Sequence, residues 1–246
     1  MLNEALRPLA LITGASGGVG FELARRFIAE GYDVALVADD RDRLTQAAQL
    51  LGTEDENVEL EIIAADLSQP EGVTLVHTAI RAMARPVDVL AANAGLAVSG
   101  QFATQTDLDT EIALINLNVT SQVHLIKLIA FEMVEHGHGD ILITSSPAGS
   151  MPGPFMAVYA ASQAFLHSFG EAIRQELQET GVNVAMLLLT QAEAEVTPDG
   201  TKAATEVADA AIAALRSSSA RGGAALSGFV GTDTPADPPA HRQRNA

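Results

Sequence analysis

Apolar residues occur along the chain in short runs that alternate with longer amphipathic stretches. The short runs are the predicted strands, at residues 9–13, 33–38, 58–65, 87–94, 140–146 and 182–189. The intervening stretches have helical spacing, near residues 19–30, 41–51, 70–84, 106–136, 157–180 and 203–216. This alternation predicts a parallel sheet with helices on both faces. With right-handed crossovers, it indicates a single α/β domain of the doubly wound Rossmann type.

The last part of the sequence has a different composition, rich in Ser, Gly, Pro and Asp. Within it, "GAALSGFV" is typical of one last edge strand. We therefore expect the folded domain to cover residues 1–231 and the remainder, residues 232–246, to be a disordered tail.

Composition and charge narrow the class of protein. A chain of 246 residues can bury a sizeable core. The net charge of −17 argues against nucleic acid or an anionic membrane as a partner, so an anionic ligand needs backbone N–H groups or a nearby Arg. The absence of Cys excludes disulfides and thiolate chemistry. Without an uninterrupted apolar run of about 18 residues or a signal peptide, we expect a cytoplasmic protein.

The most informative segment is "LALITGASGGVG", residues 9–20, in which a predicted buried strand runs into a glycine-rich turn. Glycines allow a tight turn and close approach of the backbone to a ligand. The helix that follows offers free N–H groups and a positive dipole end to a pyrophosphate. Strand, turn and helix together predict a dinucleotide site, whose candidate contacts are Gly14, Ser16, Gly18, Val19 and Gly20.

With further motifs in the same order, the chain resembles the short-chain dehydrogenase/reductase family over residues 8–190. The turn matches the family's TGxxxGxG pattern. The other matching positions are Asp66 and Leu67 in "AADL", Asn93, Ala94 and Gly95 in "ANAG", Asn118 in "LINLNVTS", Ser146 in "ILITSSPAG" and Tyr159 in "YAASQAF". Ser146 precedes Tyr159 by thirteen residues, the usual family spacing.

The resemblance implies an NAD(P)-dependent oxidoreductase that interconverts a carbonyl and an alcohol on a small organic substrate. Ser146 would hold the substrate oxygen, Tyr159 would pass the proton, and Asn118 matches the catalytic Asn. The residues themselves support this, because a serine at the carboxyl end of a strand and a phenol early in the next helix can share one crevice. Taken singly, Ser146 is equally an ordinary strand-end cap and Tyr159 a packing residue.

The main departure from the family lies four residues after the tyrosine. The family's YxxxK reads Tyr159–Gln163 here. The family lysine holds the nicotinamide ribose and lowers the pKa of the tyrosine. Gln163 can donate to a ribose hydroxyl but brings no charge, and the chain's only lysines, Lys127 and Lys202, offer no evident substitute. Losing a tuned acid/base group slows catalysis by about 10²–10⁴, so we expect altered or weakened catalysis.

Two other places depart from the family pattern. After the sixth predicted strand the usual Pro-Gly is replaced by "LLLTQAEAEV", where Thr190 and Gln191 are the candidates to meet the nicotinamide carboxamide. After the second strand, Asp39 stands where NADP-preferring relatives commonly have Arg. An acid there would repel a 2′-phosphate, which predicts NAD, although the neighbouring Arg41 and Arg43 keep NADP open.

Three histidines suggest other chemistry. His136 and His138 lie in a predicted turn without an evident third ligand, so we predict no metal site. His167 follows Tyr159 by eight residues on nearly the same helical face, but about 12 Å further along the helix. We therefore expect a core or interface histidine in preference to a replacement base.

Three functions remain open from the sequence. The leading one is the family oxidoreductase. The alternatives are a catalytically silent dinucleotide-binding homologue that acts as a sensor or partner subunit, and a dehydratase or isomerase that uses Ser146 and Tyr159. The predicted helices at 106–136 and 157–180 are rich in Ala, Leu and Ile, and the family pairs subunits through these elements. We therefore expect a homodimer or homotetramer.

Overall fold

A computed structural model describes residues 6–189 and 202–220 of the chain. Several predictions concern residues outside these ranges. They are the contacts of Thr190 and Gln191, the last edge strand, and the tail at 232–246.

The described residues form one six-stranded parallel sheet with the strand order β3-β2-β1-β4-β5-β6. The strands are β1 (Leu9–Thr13), β2 (Asp33–Ala38), β3 (Leu60–Ala64), β4 (Val89–Ala92), β5 (Gly139–Ser145) and β6 (Val182–Leu188). The predicted bounds of the first two strands are confirmed. The fourth ends earlier than predicted because the next two backbone N–H groups, of Asn93 and Ala94, donate to the hydroxyl of Thr13, each at 2.9 Å.

Helices cover both faces of the sheet, which confirms the doubly wound α/β prediction. They are α1 (Gly18–Ala29), α2 (Arg41–Gly52), α3 (Pro70–Ala82), α4 (Leu108–Ile115), α5 (Ser121–His136), α6 (Ala157–Glu176) and α7 (Lys202–Ala220). One buried cluster joins α1, α2 and α7 to the sheet, and a second joins α3, α5 and α6 to the opposite face.

Successive side chains of β1 point to opposite faces of the sheet, and both faces are buried against helices. Ala10 and Ile12 belong to one core, and Leu9 and Leu11 belong to the other, all with no exposed surface. A strand buried on both sides is therefore a continuous apolar run, as the sequence pattern indicated.

The predicted helix at 106–136 is present from Leu108 to His136 but is not α-helical throughout. Between α4 and α5, residues Asn116–Thr120 form a π-helical turn. The side chain of Asn118 makes two hydrogen bonds to the backbone of Leu96, at 2.8 Å each, so it is tied to the segment after β4. Such turns occur mostly within α-helices and frequently at functional sites. Helical periodicity does not reveal this tertiary contact.

Among the described residues one helical segment, Leu108–His136, is long and apolar enough to cross a membrane by length and composition alone. It lies against the sheet and α6, and 39% of its most apolar window is buried within the protein. A helix that packs on a soluble core meets the same criterion, so the segment is weak evidence for a membrane.

Candidate active site

A cavity of about 410 Å³ lies at the carboxyl ends of the strands, beside the point between β1 and β4 where the strand order reverses. Ligands of open α/β sheets bind at such a point. The predicted contact residues that line it are Gly14, Ser16, Val19, Gly20, Asp39, Asp66, Leu67, Asn93, Ala94, Gly95, Asn118, Tyr159 and Gln163. Among the described residues, Gly18 and Ser146 are the two predicted site residues outside the lining.

Two parts of the cavity are treated separately. The phosphate end consists of the turn Gly14–Gly20 together with Asn93. The chemical end consists of Thr144, Ser145, Tyr159 and Gln163. The turn follows β1 and Asn93 follows β4, while the chemical end comes from β5 and α6.

The phosphate end is held together by backbone contacts. Gly14 has a φ of +68°, a conformation that side chains with a Cβ rarely adopt. A Cβ placed on Gly20 would come within 2.2 Å of the Gly14 carbonyl oxygen. The start of α1 therefore presses directly against the turn, and its N–H groups stand close to any anion in the cavity. This arrangement suits a pyrophosphate.

Gly18 contributes to the turn but does not line the cavity. It is the first residue of α1 and has a φ of +54°. It therefore shapes the entry into the helix and does not border the cavity.

Thr13 and Asn93 join the two strands at the switch point. The Thr13 hydroxyl accepts from the backbone N–H groups of Asn93 and Ala94, and the Asn93 side-chain amide donates to the Thr13 carbonyl at 3.1 Å. Gln122 of α5 donates to the Ala94 carbonyl at 2.8 Å. The segment after β4 is thus fixed from both sides. Gln122 is a supporting residue that the motif comparison missed.

Beyond the phosphate end, the lining carries its charged side chains, Asp39, Arg43 and Asp66. One carboxylate oxygen of Asp39 accepts from the backbone N–H of Asp40 at 2.9 Å. Asp66 accepts in the same way from Ser68, also at 2.9 Å. Both carboxylates are therefore held by short turns of backbone, while Arg43 on α2 faces the same space as Asp39.

Tyr159 lies in the first turn of α6 and borders the chemical end. Its ring is partly exposed, and its hydroxyl has no hydrogen-bond partner among the described residues. A phenol placed in this way is available to a ligand, as proton transfer requires.

Ser146 directly follows β5, as predicted, but its hydroxyl accepts from the backbone N–H of Ala148 at 3.3 Å. It is 7% exposed and caps a short 3-10 turn, Pro147–Gly149. This turn packs on the backbone of α6, since a Cβ on Gly149 would come within 2.6 Å of the Ala164 nitrogen. Ser146 is thus close to α6, while its neighbour Ser145 borders the cavity.

Gln163 lies at the base of the chemical end and is 6% exposed. Its side-chain oxygen accepts from the Ser145 hydroxyl at 3.1 Å, and its amide nitrogen donates to Ser162 at 3.3 Å. Ser162 also accepts from Asn118 at 3.2 Å. Motif comparison missed Ser145 and Ser162, although each is adjacent in sequence to a predicted site residue.

No lysine among the described lining residues takes the place of the missing charge. Lys127 lies on α5 and borders a separate cleft against α3, with His77, Arg81 and Phe131. Among the described residues, the chemical end contains no Lys, Arg, Asp or Glu. The prediction that Lys127 is no substitute is therefore supported by its position.

His167 lies behind the Ser146 turn and outside the lining of the cavity. Its Nδ1 is 3.2 Å from the Ser150 hydroxyl, and its Nε2 is buried without a hydrogen-bond partner among the described residues. Burial lowers the pKa of His167, and the adjacent Ser146 backbone carbonyl partly opposes this. The ring supports the turn and does not reach the chemical end.

A family model described as short chain dehydrogenase matches residues 8–203. Among curated proteins, the chain is 32% identical over 192 residues to very-long-chain 3-oxoacyl-CoA reductase of Anas platyrhynchos, with 76% of this chain and 60% of the relative covered. It thus spans less than two thirds of that relative's length. Sulfoacetaldehyde reductase 2 of Chromohalobacter salexigens is 33% identical over 190 residues, with 77% and 74% covered.

Solved structures agree with the fold. The bulky-bulky ketone specific alcohol dehydrogenase of Comamonas testosteroni superimposes with a TM-score of 0.78 at 30% identity, covering 87% of this chain and 85% of the other. A short-chain dehydrogenase of Sphingobium yanoikuyae, in complex with NADPH, gives 0.74 at 33% identity, covering 84% and 83%.

The fold and the glycine-lined cavity define a Rossmann-type dinucleotide-binding protein. The chain belongs to the short chain dehydrogenase family, whose members are NAD(P)-dependent oxidoreductases, and both NAD and NADP are consistent with the comparisons.

Proposed function

We propose that the protein is an NAD(P)-dependent oxidoreductase that interconverts a carbonyl and an alcohol on a small organic substrate. The observation that carries this proposal is the position of Tyr159. Its unpartnered phenol borders the same cavity as the tightly packed turn from Gly14 to Gly20. Phosphate recognition and proton transfer thus meet in one crevice at the switch point.

In the proposed reaction the side chains bind, orient and move a proton. The bound nicotinamide supplies or accepts a hydride. Tyr159 gives its phenolic proton to the carbonyl oxygen during reduction and takes it back during oxidation. Ser146 supplies a hydroxyl to the substrate oxygen once that hydroxyl turns away from the Ala148 N–H.

The proposed preference is for NAD(H). Asp39 borders the cavity after β2, and its carboxylate would repel a 2′-phosphate bound beside it. Arg43 borders the same space and offsets part of this repulsion. A relative of known structure is in complex with NADPH, so NADP is also consistent with the family. Titration of both reduced cofactors tests the preference, and tighter binding of NADPH would overturn it.

A second candidate is a dinucleotide-binding homologue without turnover. The observation that favours it is the buried amide of Gln163, which holds hydrogen bonds to serines on both sides and leaves the chemical end uncharged. Such a protein would bind cofactor with the same turn, and Tyr159 would be a packing residue.

We further propose a cytoplasmic homodimer or homotetramer. The helices α4, α5 and α6 expose large apolar side chains, namely Ile112, Ile115, Phe131, Val134 and Phe165. A second copy that packs against these helices would cover these side chains. Light scattering at micromolar concentration should give a multiple of 25.6 kDa, and a monomer mass would refute the assembly.

One experiment separates the first two candidates. Binding of NADH and NADPH is followed by fluorescence, and turnover is then measured against a panel of ketones, aldehydes and secondary alcohols. The oxidoreductase binds and turns over at least one of them. The silent homologue binds and turns over none, and failure to bind either cofactor would reject both.

A further inference from the structure

Beneath Tyr159 a buried network of neutral side chains lies outside the proposed proton transfer. It consists of Ser145, Gln163, Ser162 and Asn118, which are between 1% and 6% exposed. The hydrogen bonds between their side chains run from 3.1 to 3.3 Å, and the Ser145 hydroxyl also lies 3.4 Å from the backbone carbonyl oxygen of Gln163. Buried polar groups keep such geometry only when their donors and acceptors are matched.

The single hydroxyl hydrogen of Ser162 fixes the direction of this network. The hydroxyl donates to the Tyr159 backbone carbonyl at 2.7 Å. It has no second hydrogen, so it must accept from both Asn118 Nδ2 and Gln163 Nε2. The amide nitrogen of Gln163 therefore faces Ser162, and the side-chain oxygen faces the hydroxyl of Ser145.

This count leaves one polar hydrogen of Gln163 unused. The amide nitrogen carries two hydrogens, and only one points to Ser162. Among the described residues no acceptor takes the second, while Gln163 borders the cavity. A flipped amide would instead present an oxygen, and two hydrogen bonds hold it in the present orientation.

We propose that Ser145 and Ser162 are positioning residues that orient the Gln163 amide, so that its second N–H binds a hydroxyl of the nicotinamide ribose. This inference rests on the proposed function, since it deepens the same site. Gln163 then retains a ribose contact as a neutral donor. The serines act through Gln163 and do not touch the cofactor.

The ligands that test this proposal are NADH, ADP-ribose and ADP. Unlike the first two, ADP lacks the second ribose, so it reports on the phosphate end alone. In Ser162→Ala and Ser145→Ala, the amide loses one of its two restraints. We expect NADH and ADP-ribose to bind about three- to tenfold more weakly, the effect of one hydrogen bond, and ADP to bind within about twofold of the native protein.

Gln163→Met is the probe of the amide itself, because Met has a similar length but neither an N–H nor a side-chain oxygen. It loses the hydrogen bonds to Ser145 and Ser162 together with the donor to the ribose. Its loss of ADP-ribose affinity should equal or exceed that of Ser162→Ala, with ADP again unaffected. Calorimetric titration measures all three ligands, and melting temperatures check that each variant is folded.

Parallel weakening of ADP would overturn the proposal, since it would indicate a merely structural role for the serines. Unchanged ADP-ribose affinity in both serine variants would overturn it as well. The expected pattern of ligand affinities without turnover of any carbonyl would leave the positioning role standing and remove the proposed oxidoreductase.

Discussion

The two ends of the cavity are stabilised by different kinds of contact. In the glycine turn of the phosphate end, backbone packs against backbone, and a Cβ on Gly20 would lie 2.2 Å from the Gly14 oxygen. At the chemical end, side chain meets side chain, with Ser145 and Gln163 3.1 Å apart. The first arrangement excludes any larger residue. The side-chain contacts of the chemical end tolerate a different polar residue when its donors and acceptors still match. This explains how the glycine turn can follow the family pattern while Gln163 replaces the family lysine.

The substitution with the largest expected effect disrupts the glycine turn of the phosphate end. Gly20→Ala places a methyl group where the Gly14 carbonyl oxygen lies, so the turn must move away from α1. We expect dinucleotide binding to fall below detection in calorimetric titrations. Gly52→Ala is the matched control, because its Cβ would meet only the Leu60 side chain at an ordinary 3.8 Å. If Gly20→Ala binds cofactor as the native protein does, the contrast between the two ends is wrong.

The substitution with the second-largest expected effect restores a positive charge at the chemical end. Gln163→Lys should raise turnover of an accepted substrate about ten- to thirtyfold, because an ammonium near Tyr159 favours the phenolate. The Ser162 hydroxyl already accepts from this side chain, and the Ser145 hydroxyl can rotate to accept. The rate of alcohol oxidation should also rise at lower pH than in the native protein.

Gln163→Met is the control for that substitution, since it keeps length without charge or hydrogen bonds. It should turn over no faster than the native protein in the same steady-state assay. Equal rates for Gln163→Lys and Gln163→Met would show that charge at this position does not limit the reaction.

A smaller effect concerns cofactor choice beside the phosphate end. Asp39→Asn removes the charge but keeps the oxygen that accepts from the Asp40 N–H. NADPH affinity should rise about three- to tenfold relative to NADH. Asp42→Asn, an exposed carboxylate at the start of α2, carries the same change in net charge and should leave the ratio unchanged. A shift of equal size in both variants would remove the specific role of Asp39.

The smallest effect concerns the turn behind Ser146. Burial lowers the pKa of His167 in the folded protein, so the unfolded chain takes up this proton more readily. The stability contributed by the neutral ring is complete above the ordinary value of 6.5 and is lost as pH falls below it. Between about pH 7.5 and 5, the melting temperature of His167→Asn should fall less than that of the native protein. An identical fall in both would contradict this assignment.

The sequence predicts the parts of the molecule whose pattern is local. β1 and β2 are continuous apolar runs, and the turn from Gly14 to Gly20 has its required strand and helix on either side. The π-helical turn around Asn118 is not predicted by local pattern, and Asn118 makes its hydrogen bonds with Leu96, 22 residues away. The role of Ser162 was missed for the same reason, as its Asn118 partner lies 44 residues away.

The orientation of Ser146 also depends on tertiary structure. Its spacing to Tyr159 follows the family, yet its hydroxyl caps the 3-10 turn that packs on α6 through Gly149. Sequence spacing specifies which residues are neighbours along the elements. It does not specify which hydroxyl of the pair Ser145 and Ser146 borders the cavity.

The central claim is that this cavity transfers a hydride with Tyr159 as the proton donor, despite a neutral Gln163. The most direct measurement incubates the protein with NADH deuterated at C4 and a mixed panel of ketones and aldehydes, followed by mass spectrometry of the alcohols formed. We predict deuterium on the carbinol carbon of at least one product, and a loss of about a hundredfold or more in Tyr159→Phe with unchanged NADH binding. Saturable NADH binding with no deuterated alcohol, or equal labelling by Tyr159→Phe, would contradict the account.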